Sequence, residues 1–382
     1  MIPSTTEMFR ALVSTPSVSC ADLQIDQSNI DVINHLANWL DDLGFDVVVK
    51  PLESNRNKAN LLARKGSGDG GLVFAGHSDT VPCYESQWDV DPYALTEKDG
   101  RFYGLGTCDM KGFFPLAIAA CAAIDDAKLE KPLCVAATSD EETSMAGARE
   151  LEALGFPKAD AAVIGEPTDL VPAYTHKGIA LTKVIITGVA GHSSDPDAGV
   201  NALDVMHQVI SSLIEFRNEL KSKYANEAFA VHYPTMNLGC LHAGDVPNRI
   251  CAHAELEFDI RLLPNMNAQL LLDDIQRRVA DIAAHTGAEI RVESCCPIIP
   301  PFETNTNGNL VRHLANVTKH APRGVAFGTE APFYQALGME TVVFGPGSVN
   351  QAHQPDEYIS LDRLKPTQAI LEELIHTYCA TP

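Results

Sequence analysis

Leu-Val-Phe-Ala-Gly-His-Ser-Asp-Thr-Val-Pro, residues 72–82, is a short apolar run that stops abruptly at an imidazole and a carboxylate. Four apolar residues closed by a glycine are too few for a helix and read as an interior strand. The same pattern recurs. Residues 133–138 run into Asp140-Glu141-Glu142, residues 161–164 run into Gly165-Glu166-Pro167, and residues 341–344 precede His353. Helical stretches separate these runs. Ile30, Ile33, Leu36, Leu40 and Leu43 recur at helical spacing before Gly44, an apolar helix opens near Gly112, and a closing helix is expected from Pro366. Strands that alternate with helices predict an α/β domain with a largely parallel sheet. In such sheets, sites gather beyond the carboxyl ends of strands, where His77, Glu141, Glu142 and Glu166 fall.

The middle of the chain reads differently. Strand-like segments at 181–189, 236–241, 251–262 and 289–293 enclose helical segments at 201–224 and 267–285. That order, βαββαβ, is ferredoxin-like. After it the α/β character returns. If His353 shares a site with His77, residues 1–179 and 295–382 form one discontinuous domain, and residues 180–294 are an insert.

At 382 residues, with 45% hydrophobic and 20% charged residues, the chain can bury two cores. A net charge of −22 argues against nucleic acid or an anionic membrane surface as partner. Ten scattered cysteines without a paired C-x-x-C set read as free thiols in a reducing compartment, hence a cytoplasmic protein. The N-terminus lacks a basic region and carries Glu7 early, so no signal peptide is expected. No apolar run approaches the ~18 residues that a membrane span needs.

The chemistry rests on a combination. Alone, His77 would be a structural histidine, Asp109 in the glycine-flanked 106–112 loop a turn residue, and Asp140-Glu141-Glu142 a helix start. Together, two imidazoles and several carboxylates at strand ends suit Zn²⁺, Co²⁺ or Mn²⁺. Asp109, with two oxygens, can bridge two ions. Asp79 follows His77 by two residues, so on an extended chain its carboxylate is expected to grip the far nitrogen of that ring. Of Glu141 and Glu142, one should hold metal and the other accept a proton from the reacting water, and their chemistry does not say which. Rival motifs fail. Gly104-Leu105-Gly106 has Asp109 where a dinucleotide loop needs glycine, and residues 66–71 lack the Lys-Ser/Thr of a phosphate loop. Cys108 reads as a loop thiol.

Residues 75–82, 106–112, 140–142, 165–168 and 345–357 resemble the motifs of the M20 family of di-zinc metallopeptidases, essentially end to end. Residues 140–149, 176–178 and 191–196, with 345–357, resemble its N-acyl amino-acid deacylases in particular. The resemblance implies a zinc-peptidase-like mixed sheet flanked by helices, with the ferredoxin-like insert serving as dimerisation and lid domain. It implies two divalent ions, Zn²⁺ or Co²⁺, one held by His77 and Glu166, the other by Glu142 and His353, with Asp109 between them. Glu141 would be the general base and Asp79 would orient His77. In the family, the residue matching His192 reaches into the partner's site of a homodimer and stabilises an oxyanion. Asn248 and Arg261 match residues that contact the substrate carboxylate. The implied substrate is an N-acetylated amino acid. A desuccinylase or dipeptidase on the same scaffold, and a non-catalytic metal-binding dimer, are the alternatives.

Overall fold

Four strands whose residues are almost all buried run side by side and parallel, in the order Leu133–Thr138, Leu72–His77, Ala161–Ile164, Glu340–Val343. Burial on both faces requires covering helices on each side, which is why these strands read as unbroken apolar runs. The computed structural model describes residues 2–156 and 158–380. Ala59–Lys65 and Asp46–Pro51 extend the sheet antiparallel beyond Leu133–Thr138, and Ala173–His176 extends it beyond Glu340–Val343. The parallel register pairs His77 with Thr138, so the carboxyl ends of those strands lie level.

The core follows from which residues the helices bury. Phe113–Ala122 is apolar on nearly every side and buries Phe113, Phe114, Leu116, Ala117 and Ile118, as a helix inside a core must. Phe74 and Phe113 pack edge to face with ring centroids 6.3 Å apart. Two glycines at strand ends make room for this helix and the loop before it. A Cβ on Gly76 would stand 2.2 Å from Met110, and one on Gly165 would stand 2.1 Å from the Phe113 ring. The helix from the closing segment spans Leu361–Cys379, so it begins five residues before the expected Pro366, which lies within it.

Contacts divide the chain into two units. The first comprises residues up to Tyr174, Thr304–Arg323 and residues from Thr329 on. The second comprises Thr175–Glu303 and Gly324–Gly328. In the second unit the elements follow the βαββαβ order: Gly178–Thr187, Ala202–Lys223, Thr235–Ala243, His253–Leu262, Ala268–Thr286 and Glu289–Ser294. The sheet runs Thr235–Ala243, His253–Leu262, Gly178–Thr187, Glu289–Ser294, antiparallel throughout. Burial alternates along His253–Leu262, so one face meets Val205, Val209, Leu213 and Ile275 of the two helices and the other stays open. This unit is wider than residues 180–294 because its flanks pair with each other, His176 with Phe302 and Ile179 with Ile299. Such short pairings carry no periodicity to read. No helix among the described residues is long and apolar enough to cross a membrane, and the ten cysteines form no disulfide.

Candidate metal centre

The four parallel strands end in the residues that sequence had singled out. His77 is the last residue of its strand, Glu141 and Glu142 form a turn just after Thr138, Glu166 follows Ile164, and His353 sits in the loop after Val343. Asp109 enters from the loop before Phe113, through a cis peptide bond to Met110.

Asp109 faces both imidazoles. Its Oδ1 is 3.2 Å from His77 Nε2 and its Oδ2 is 3.3 Å from His353 Nε2. Around Oδ1, Glu166 Oε1 stands 3.9 Å and Glu141 Oε2 4.0 Å from the same His77 nitrogen. Around Oδ2, Glu142 Oε2 is 3.1 Å from His353 Nε2. Ligand atoms lie within 4.8 Å of one another in two sets that share Asp109: His77, Asp109 and Glu166, and Asp109, Glu142 and His353. The first set is buried. In the second, the His353 side chain is 53% exposed and its backbone is left-handed at φ 58°.

The electrostatics call for positive charge. Burial raises the carboxyls of Glu141 and Glu166 well above their usual range, and neighbouring carboxylates raise them further. Burial and Asp109 raise Glu142. Burial also pushes Asp109 up, but hydrogen bonds from His353 and His77 outweigh it and hold that carboxyl below its usual range. Hydrogen bonds donated by His353 to the carboxylates of Asp109 and Glu142 push it up to about 10. Burial opposes protonation of His77, yet Asp109 and the surrounding acids prevail and raise it. Glu166 Oε1 is buried without a hydrogen-bond partner. Crowded acids, an orphaned carboxylate oxygen and imidazole donors fit divalent cations of the Zn²⁺ and Co²⁺ kind.

Asp79 approaches His77 with two groups. The far nitrogen of His77, Nδ1, meets the backbone carbonyl of Asp79 at 3.0 Å, while the Asp79 carboxylate stands 3.6 Å away. That carboxylate instead accepts the N–H groups of Glu141 at 3.3 Å and Glu142 at 3.2 Å. The backbone carbonyl of Asp79 is therefore the nearer of its two acceptors to the ring, with the carboxylate behind it. With Nδ1–H donated to that carbonyl, Nε2 is the nitrogen that faces the cluster, and a bound cation would take the place of its proton.

Two supporting groups escaped sequence reading. Lys58, wholly buried, bonds Asp26 at 2.6 Å and Asp140 at 2.5 Å, directly behind the Glu141–Glu142 turn. Burial disfavours its charge, but the two aspartates outweigh that and raise its pKa. Glu357, wholly buried, accepts N–H groups from the Asp109 loop; burial pushes its carboxyl up to about 8. Lys58 lies in a polar stretch that reads as loop. Glu357 lies in the 345–357 motif, and only its burial distinguishes it from its neighbour Asp356.

The remaining three named residues belong to the second unit. His192 is exposed and pairs with Arg249. Its Nδ1 accepts the Ser194 N–H at 3.2 Å, which leaves the proton on Nε2. The carbonyl of Asn248 accepts the Ser193 N–H at 3.3 Å. Arg261, on His253–Leu262, gives its Nε to Asp259 at 2.9 Å, so its two terminal nitrogens are not spent on that pair.

Residues 73–377 match the profile of Peptidase family M20/M25/M40, and the chain belongs to that family of hydrolases. It is 47% identical over 378 residues to acetylornithine deacetylase of Proteus mirabilis (strain HI4320), an alignment that covers 99% of this chain and 97% of that protein. The fold matches an M20 family metallo-carboxypeptidase from Sulfolobus solfataricus with a TM-score of 0.77 at 18% identity, covering 98% of this chain and 99% of that one. It also matches a dinuclear metal binding peptidase of the family from Bacillus subtilis, with a TM-score of 0.69 at 18% identity over 98% of this chain and 97% of the other.

Proposed function

We propose that this chain hydrolyses N2-acetyl-L-ornithine to L-ornithine and acetate, a step of arginine biosynthesis, as a cytoplasmic homodimer that uses two divalent ions, Zn²⁺ or Co²⁺. The observation that carries the reading is Asp109, whose two oxygens each face a different imidazole and its carboxylate neighbours. Likeness to the Proteus deacetylase along nearly the whole of both chains supports the choice of substrate.

When bound, two such ions would polarise the acyl carbonyl and acidify a water molecule. His77 and Glu166 would hold one, Glu142 and His353 the other, and Asp109 both. Glu141 takes the proton of the attacking water and passes it to the departing α-amine; the second water proton leaves the acid so formed for the same amine, and water and amide become acetate and an ammonium group. His192 of the partner subunit donates its Nε2–H to the oxygen that becomes negative when the carbonyl is attacked. Arg261 and Asn248 bind the substrate α-carboxylate, Arg261 through its terminal nitrogens. Asp79 keeps the Glu141–Glu142 turn against the His77 strand. The strand Thr235–Ala243, mostly exposed, edges the second unit's sheet and offers an unpaired edge to a second copy. The ten thiols, with no disulfide among them, support a reducing compartment.

Steady-state assays with N-acetylornithine and with N-succinyl-diaminopimelate decide between deacetylase and desuccinylase. Turnover of the acetylated compound, with metal analysis giving two ions per chain, is the expected result. No turnover of it by the metal-loaded protein defeats the proposal.

A further inference from the structure

The loops that carry Asp109 and His353 converge on one side chain that the hydrolytic steps do not use. Glu357 lies four residues after His353 and is 1% exposed. Its Oε1 accepts the N–H of Cys108 at 2.7 Å and of Asp109 at 3.0 Å, and its Oε2 accepts the N–H of Gly106 at 3.1 Å. Its backbone carbonyl accepts the N–H of Gly104 at 3.0 Å. One residue later Tyr358 pairs with Tyr103, which begins the antiparallel Tyr358–Ser360 and Arg101–Tyr103 ladder. One buried carboxylate thus takes three N–H groups of the Asp109 loop, beside the Glu357 carbonyl, the Tyr103–Tyr358 pairing and the Cys108 thiol on the Ser348 carbonyl. Charge-assisted bonds of this kind are short and directional.

The two ligand sets depend on this carboxylate unequally. His77 and Glu166 stand at the ends of adjacent strands, so the sheet fixes both. His353 rides an exposed loop in left-handed backbone, and Asp109 is the residue common to both sets. We propose that Glu357 is a positioning residue: it sets Asp109 relative to His353, and so shapes the Asp109–Glu142–His353 set while the His77–Glu166 side is held without it. The inference rests on the two-ion reading above.

A titration of the metal-free protein with Zn²⁺, followed by competition with a chromophoric chelator, tests it without an activity assay. The unaltered chain is expected to take two ions in two steps. Glu357→Gln keeps the size but turns an NH₂ toward a backbone N–H. It should leave the first step within about threefold and weaken the second by roughly 10–100-fold, the range for groups that orient metal ligands. Asp356→Asn is the control. It removes only a carboxylate that accepts the N–H groups of Asp89 and Val90, and both steps should stay as in the unaltered chain. If Glu357→Gln does not fold, as judged by the melt of the metal-free protein, Glu357→Asp carries the test. It keeps the charge one methylene short and must show the same selective loss. An unchanged second step, or equal weakening of both, overturns the inference. Fewer than two ions on the unaltered chain would instead defeat the two-ion reading, and this inference with it.

Discussion

The two units place their named residues in opposite physical settings. In the first, His77, Glu141, Glu142 and Glu166 stand at the ends of buried strands and their side chains are at most 9% exposed. In the second, His192 and Asn248 sit exposed on loops and Arg261 is half-buried on the open face of an antiparallel sheet. A buried, crowded set of acids is costly unless a cation compensates it, so the first unit is built to hold ions. Exposed donors are costless until something arrives, which is the setting that the proposed substrate contacts of the second unit need. The difference teaches where each kind of function can live: charge that must be compensated needs a rigid floor, and recognition can sit on a surface.

The experiments that break or sharpen this contrast follow in order of size. Stripping the protein with a chelator should abolish amide hydrolysis, and adding Zn²⁺ or Co²⁺ should restore it; activity that persists with no metal detected would remove the reason for the buried acids. Glu141→Gln should cut kcat by roughly 10²–10⁴ with metal content unchanged. Near-normal turnover would take the base role from Glu141. In the second unit, His192→Ala should lower kcat by roughly 10²–10³ and leave Zn²⁺ binding as it is. Mixed with Glu141→Gln under subunit exchange it should recover part of the activity, and no recovery despite proven exchange would count against action across a dimer. Arg261→Ala should raise KM by roughly 10–100-fold, the worth of a lost charge-assisted bond to the substrate, with kcat moved less. An unchanged KM would make Arg261 a partner of Asp259 only. Smallest of all, Arg249→Ala breaks an ion pair that is 56% exposed on both sides and should shift unfolding free energy by no more than about 1 kcal/mol in urea melts.

Legibility in the sequence followed the same divide. The parallel strands were readable because burial on both faces makes them uninterrupted apolar runs, and the acids and histidines that end them stand out by contrast. The long elements of the second unit were readable from their periodicity. The strands Thr96–Lys98, Arg101–Tyr103 and Tyr358–Ser360 were not, since three residues hold no period, yet they join the loops that carry Asp109 and His353. Lys58 was invisible because nothing local says that a lysine in a polar loop will be wholly buried between two aspartates. The Asp79 carboxylate stands 3.6 Å from His77, and its bonds to the Glu141 and Glu142 N–H groups carried no local signal because they join segments some sixty residues apart.

By itself, the chain's order of residues determined the strand-and-helix plan, the identity of the metal-binding candidates and their place at strand ends. These depend on burial and periodicity, which neighbours along the chain express. Only the tertiary structure decided that Asp109 has an imidazole on each side, that the Asp79 carbonyl lies nearest the His77 Nδ1, and that Lys58 is buried against Asp140 and Glu357 against the Asp109 loop. Those are distances between segments far apart in sequence, set by packing, and no local pattern encodes them.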